Sequence, residues 1–282
     1  MKADNILVSI NIPTYNSEST LEETLKSIKA QTYKNYEIII ADHNSKDKTV
    51  EIAKKYTNKI ILDSKKLLHS RYLAFKASKG KIIFFIDSDQ ILEPTLIERV
   101  VKSFKEEDYD MWALEERSYR PKNWVEKLTD VDRENVHKIK EFNPSKSVIL
   151  ARAFKKELLE KAFKKISPKL FDYVSVQDHA IIYYECWKIS NKILMIKNAV
   201  FHKEPNSIRE LYHHYFRWGV TAQESLTALP KEYNDMFSGK LENRIKFHNF
   251  FDTKFLIAFP ITFTKGFGYT LGMFYAKNIK KK

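Results

Sequence analysis

Glycine is scarce in this 282-residue chain: there are six, and none precedes Gly80. That excludes a Gly-x-Gly-x-x-Gly turn or a Walker-type P-loop from the N-terminal half, so a nucleotide bound there must be held by other means. Cysteine is nearly absent. Cys186 stands alone, which rules out an intramolecular disulfide and a cysteine-rich metal site and fits a reducing compartment. The N-terminus lacks the apolar core of a signal peptide, so a cytoplasmic protein is expected. Negative charge is also in deficit: 36 Asp and Glu face 49 Lys and Arg, a formal net charge of +13. Such an excess suits a polyanion, whether nucleic acid, anionic lipid or nucleotide diphosphate, and equally a lysine-rich solvated surface. No recognised nucleic-acid-binding module accompanies it, so nucleic acid is not the expected partner.

What is present begins with 43% hydrophobic residues, enough for a large core. In the first hundred residues two periods alternate. Apolar runs at 6–12, 36–41, 60–62 and 82–86 read as strands; Leu21, Leu25 and Ile28, then Val50 and Ala53, then 72–78, read as helices. Ser19 with Glu22 predicts a capping box, and Asp47 a cap for the second helix. Alternation of this kind implies βαβ units, a mostly parallel sheet and a ligand at the carboxyl ends of the strands. Three polar clusters fall at those ends: Pro13-Thr14-Tyr15-Asn16, Asp42-His43-Asn44-Ser45 and Asp87-Ser88-Asp89. Paired carboxylates at a sheet rim suit a divalent cation. The chain has two other Asp-x-Asp triplets, Asp108/Asp110 and Asp130/Asp132, but neither follows a comparable apolar run. Farther on we read strands at 111–115, 148–151 and 193–196, and helices at 124–132, after Asp178, and from Ser207 to about Leu229.

In this order and spacing the motifs resemble the family 2 glycosyltransferases, whose fold is GT-A. The resemblance rests on residues 8–16, 25–33 and 37–49, on Arg71, on the Lys79-Gly80 turn and on Asp87-Ser88-Asp89, and it resumes near Gln177. It implies an α/β GT-A fold and an inverting, metal-dependent enzyme. The donor would be a nucleotide-diphosphate sugar, UDP favoured over GDP. By position, Asp42 would hydrogen-bond the base, with Pro13, Thr14 and Tyr15 lining its pocket and Tyr15 packing on it. Arg71 would anchor the nucleotide near the diphosphate, Asp87 would face the ribose, and Ser88 completes that motif. Asp89 would ligate Mn²⁺ or Mg²⁺, with His202 as a further ligand. Asp178, in Gln177-Asp178-His179, would be the general base, kept ionised by a helix start. Arg217 and Trp218 would meet the donor diphosphate or the acceptor. The chain departs from the family pattern at His43, Asn44, Tyr72, Gln177 and His214. Taken singly, Asp42 and Asp47 also read as a turn residue and a cap, and Asp178 as an N-cap.

We expect a catalytic domain at 1–230, with a nucleotide-binding half at 1–106 and an acceptor half at 107–230, followed by an aromatic and basic helical extension at 231–282. In that extension Phe251, Phe255, Phe259, Phe263 and Phe267 recur every fourth residue, and Pro260 should bend or interrupt the helix. The apolar stretch is too short to span a bilayer. Two readings stand: an interfacial helix ending in lysines on an anionic membrane surface, or packing on the catalytic domain or a second copy. The first places the protein peripherally on the inner face of the cell membrane, with a glycan or polyprenyl-lipid-linked acceptor. A non-catalytic nucleotide-binding scaffold and a metal-dependent nucleotidyl or phosphoryl transferase are the alternatives.

Overall fold

The apolar runs of the first hundred residues form strands close to where their periodicity puts them. The computed structural model describes residues 6–138, 141–237 and 253–278. Strands β1 (Val8–Thr14), β2 (Tyr36–Asp42), β3 (Ile60–Leu62) and β4 (Ile82–Phe85) alternate with helices α1 (Leu21–Lys29), α2 (Thr49–Lys54) and α3 (Leu67–Ala77). All pairings among these four strands are parallel. Residues of the β4 run alternate between two cores: Ile82, Phe84 and Ile86 belong to one, Ile83 and Phe85 to the other. A strand covered on both faces reads as an unbroken apolar run. Each such side chain contributes roughly 1.5–3 kcal/mol on full burial. At the opposite end of β4, Gly80 donates its N–H to Ser9 Oγ at 2.9 Å. A Cβ there would lie 2.6 Å from Ser9 N, so only glycine lets the two backbones meet.

The second half comprises β5 (Gln90–Leu92), α4 (Leu96–Glu106), β6 (Met111–Ser118), α5 (Trp124–Lys138), β7 (Ala151–Lys155), α6 (Lys156–Phe163), a 3₁₀ turn (Pro168–Asp172), α7 (Asp178–Trp187), β8 (Ile193–His202) and α8 (Ile208–Leu226). A helical stretch at 231–237 and helix α9 (Thr253–Asn278) follow. The strand order is β3-β2-β1-β4-β7-β6-β8-β5. The sheet is mostly parallel, as expected, and its antiparallel pairs fall in this half. β7 runs antiparallel to both β4 and β6, β5 is antiparallel to β8, and only β6 and β8 pair in parallel. The sheet also curls. β5 closes the far edge of the strand order, yet a turn of four residues joins it to β4, and so short a chain spans at most about 18 Å. Curling brings His202, paired with Gln90, beside the Asp87–Asp89 turn.

Several boundaries differ from the sequence expectation. The strand read at 148–151 lies at 151–155, and the one read at 193–196 continues to His202. A left-handed Asn198, φ 47°, and a register shift against β6 absorb the irregularity that ended the apolar run. The capping box at Ser19 does not form; Thr20 is the N-cap of α1, without a side-chain cap bond. Ser207 does cap α8, accepting from Glu210 N–H at 3.2 Å. Pro260 sits inside an unbroken α9. That helix buries Phe255, Ala258, Ile261, Lys265, Gly268, Gly272 and Ala276 and packs on α5 and α8. Phe251 lies outside the described residues.

Candidate active site

The carboxyl ends of β1, β2 and β4 form one rim. Asn16 (φ 46°) and Asn44 (φ 53°) turn the chain there in the left-handed region, which asparagine tolerates. Pro13 is buried, beyond the last residue of β1 that β4 pairs with, so its missing N–H breaks no bond to that strand. Tyr15 is 60% exposed and sets its ring edge-on to His43 at 5.3 Å. Asp42 is fully enclosed. It accepts from Thr14 Oγ1 at 2.8 Å, from Ser45 N–H at 2.8 Å and from Ser45 Oγ at 2.6 Å. Three of its roughly four acceptor sites are therefore used. Thr14 and Asp42 hold the two rim loops together, and Tyr15 is the group left facing outward.

Ser88 lies 2.9 Å from Ser17 Oγ, and its carbonyl accepts from Thr24 Oγ1 at 3.0 Å, which ties the turn to α1. Asp87 is occupied by two arginines: Arg71 Nη2 donates to Oδ1 at 2.6 Å and Arg152 Nη1 to Oδ2 at 2.7 Å. Although Asp87 is partly buried, those cations hold its carboxyl far below the usual carboxylate range. A ribose hydroxyl would meet a carboxylate already engaged. Arg71 is almost wholly buried. Its Nε donates to Asp178 Oδ2, its guanidinium lies over Phe85, and its Nη1 finds no protein partner. Arg71 therefore joins the rim to the second half of the molecule.

Asp178 is the first residue of α7, as read from the sequence, but its ionisation differs from the expectation. Burial pushes its carboxyl above the ordinary aspartate value, and the attraction of Arg71 only partly opposes that. A raised value makes a stronger base than an exposed aspartate. His179 beside it is driven well below its usual value by burial and by Arg71 and Arg152, so it is neutral.

Sequence reading missed the rest of this ion chain. Arg152 reaches Glu116 Oε1 at 3.0 Å; Arg133 reaches Glu116 Oε2 at 3.0 Å and Glu204 Oε1 at 2.5 Å. Charges thus alternate through Asp178, Arg71, Asp87, Arg152, Glu116, Arg133 and Glu204. Glu116 and Arg152 each stand near the end of an apolar run, the same signal that singled out Asp87.

Asp89 is half exposed, and its Oδ1 lies 3.9 Å from His202 Nδ1. Two adjacent ligands on an octahedral Mn²⁺ or Mg²⁺, with bonds of about 2.1 Å, would stand about 3.0 Å apart, so the pair must close by about 1 Å to share one cation. The other imidazole nitrogen, Nε2, lies 3.3 Å from Glu116 Oε2 and 3.1 Å from Gln90 Nε2. Gln90 Nε2 can only donate, so that contact makes the imidazole Nε2 the acceptor and leaves the neutral ring's proton on Nδ1. Metal binding through Nδ1 requires that proton to move to Nε2, where Glu116 can accept it. The donor set fits a cation that completes its shell with phosphate oxygens and water. Among the described residues no group of three or more His, Cys, Asp or Glu could hold a metal by itself. Arg217 and Trp218 are exposed on α8, outside the ion chain. His214, whose ring is 5.0 Å from that of Trp218, is lowered by burial and by Arg217, while Asp89 and Glu204 pull it up. That face of α8 lies in the field of the rim.

A curled α/β sheet with paired carboxylates at its rim defines a GT-A fold. Residues 9–166 match the family described as Glycosyl transferase family 2, and the chain belongs to that family. It is 30% identical over 148 residues to a hyaluronan synthase of Streptococcus pyogenes, covering 48% of this chain and 35% of that protein. To the Escherichia coli UDP-Glc:alpha-D-GlcNAc-diphosphoundecaprenol beta-1,3-glucosyltransferase WfaP it is 41% identical over 96 residues, 32% of this chain and 38% of the other. The chain spans little more than a third of the length of these relatives. In structure it resembles glucosyl-3-phosphoglycerate synthase from Mycobacterium tuberculosis, solved with Mn²⁺, UDP and phosphoglyceric acid. The TM-score is 0.52 at 17% identity, over 78% of each chain.

Proposed function

We propose that this protein transfers a sugar from a nucleotide-diphosphate sugar, UDP favoured and GDP the alternative, to an acceptor hydroxyl with inversion at the anomeric carbon. The observation that carries the reading is Arg71, which binds Asp87 at the rim and Asp178 at the start of α7. It fixes the donor-side and acceptor-side carboxylates in one frame. Asp178 takes the proton from the acceptor oxygen as that oxygen bonds to the anomeric carbon. The bond from that carbon to the diphosphate breaks, and its electron pair leaves on the diphosphate. Arg71 moves aside or shares the Asp178 carboxylate for this step. Tyr15 offers a face to the base; Arg217 and Trp218 meet the diphosphate or the acceptor. A divalent cation held by Asp89 and His202 would supply Lewis-acid neutralisation of the departing diphosphate. The UDP and Mn²⁺ of the solved neighbour support the donor and cation classes. The named substrate of WfaP supports a lipid-linked acceptor, and with it a peripheral position on the inner face of the cell membrane.

The test is transfer from a nucleotide sugar labelled in both sugar and β-phosphate, with Asp178→Asn alongside. Sugar label on the acceptor, lost in the variant while UDP binding persists, is expected. Phosphate label on the acceptor would instead identify a phosphoryl transferase, and UDP binding without transfer under any condition a scaffold.

A further inference from the structure

Helix α9 has two faces of opposite character. The buried face packs through small residues. A Cβ on Gly272 would stand 2.0 Å from Phe216 O, and one on Gly219 of α8 would stand 2.0 Å from Tyr269 O. The two helices touch backbone to backbone. Lys265 anchors the same face by donating to Asp132 Oδ2 of α5 at 2.8 Å. The opposite face exposes Leu256, Phe259, Phe263, Phe267 and Phe274, with Phe263 58% exposed. Phe259, Phe263 and Phe267 form a continuous ridge, with ring centroids 6.1 and 5.8 Å apart. So many large rings in one exposed row exceed the scattered apolar residues of an ordinary surface. The sequence from 253 to 282 contains no Asp or Glu and has Lys254, Lys265, Lys277 and Lys280 to Lys282. No helix among the described residues is long and apolar enough to cross a membrane.

We infer that the outward ridge of α9 docks flat on an anionic lipid bilayer, its rings entering the headgroup boundary while Lys277 and the lysines that follow it in sequence meet anionic headgroups. The inference rests on the proposed membrane position and names the surface that creates it. Charge selects this occupant over a second copy: ridge-to-ridge pairing would bring together two segments that carry no acidic residue from 253 to 282 and end in lysines, whereas an anionic bilayer complements them. The backbone contact between α9 and α8 gives the docking a consequence. α8 carries Arg217 and Trp218, so the acceptor side of the site is held at a fixed, short distance from the lipid surface. An acceptor hydroxyl borne on a lipid head is the substrate class that this geometry favours.

The experiment is co-sedimentation of the full chain with phosphatidylcholine vesicles, with and without phosphatidylglycerol. It runs without donor or acceptor, so its outcome is independent of glycosyl transfer. Binding is expected to the anionic vesicles, weakening with added salt, and to fall about tenfold or more in Phe263→Glu/Phe267→Glu. Both side chains are exposed, so thermal unfolding of the variant should match that of the parent. Equal binding by parent and variant, no binding to anionic vesicles, or a dimer in solution that the double variant dissolves, would each overturn the inference.

Discussion

Asp178 is the residue on which the proposed chemistry turns, and its surroundings set its strength. Burial raises its carboxyl above the ordinary value of about 4, so the base is active only above that raised value. The rate of transfer should therefore rise with pH through an apparent pKa higher than that of a free aspartate, read from kcat/KM against pH. Asp178→Asn should lower kcat by about 10²–10⁴ while leaving the UDP-induced thermal shift in place. Some stability should also be lost, because the variant leaves Arg71 with less countercharge. Asp89 differs. Its side chain is half exposed and makes no close ion pair with an arginine or lysine among the described residues, so Asp89→Ala should leave the melting temperature within a degree or two and abolish any metal dependence of nucleotide binding. Legibility at this scale follows exposure and position. Tyr15, Asp89 and Asp178 lie at the rim or helix start where their neighbours in sequence put them. Asp42 and Arg71 were expected to meet the nucleotide; the protein partners that hold them, Thr14, Ser45, Asp87 and Asp178, were not legible because they come together only in the fold.

Helices α8 and α9 show what spacing can and cannot convey. The phenylalanines recur every fourth residue from 251 to 267. In the fold, Phe255 turns inward and Phe259, Phe263 and Phe267 turn outward, since a four-residue repeat drifts about 40° per step around a helix of 3.6 residues per turn. The packed face was not legible, being written in Gly268, Gly272 and Gly219, whose significance lies in a partner helix. Gly272→Ala should force α8 and α9 apart and cost about 1–3 kcal/mol in chemical denaturation, with little change in far-UV circular dichroism. Lys265→Met should cost about 3 kcal/mol, as it removes the cation that faces the buried Asp132 carboxylate. The paired change Lys265→Met/Asp132→Leu should recover much of that loss in the same assay.

Across the whole molecule, the first four strands followed directly from their apolar runs, whereas the mixed order of the second half did not. Local periodicity fixes where a strand lies, but not which neighbour it finds. The curl of the sheet, invisible in the sequence, is what brings His202 beside Asp89. The ion chain also gives the protein a definite acid response. Asp87 and Glu116 are held below their ordinary values by Arg152 together with Arg71 or His202. Their stabilisation is complete above the unfolded values of about 4 and is lost as pH falls through the lower folded ones. Asp178 has the opposite sign: its raised value favours the fold below about pH 4 and loses that advantage as pH rises. Two depressed carboxyls outnumber one raised, so net stability should fall on acidification below about pH 4, measured by denaturant midpoints across pH.

The whole account rests on a cation gripping the donor diphosphate at the Asp87–Asp89 turn. Electron paramagnetic resonance of Mn²⁺, titrated with protein in the presence and absence of UDP, tests this directly. Tight Mn²⁺ binding that requires UDP, is abolished by Asp89→Ala, is weakened by His202→Ala and survives Asp178→Asn is the predicted result. Mn²⁺ and UDP binding unchanged in Asp89→Ala would contradict the account.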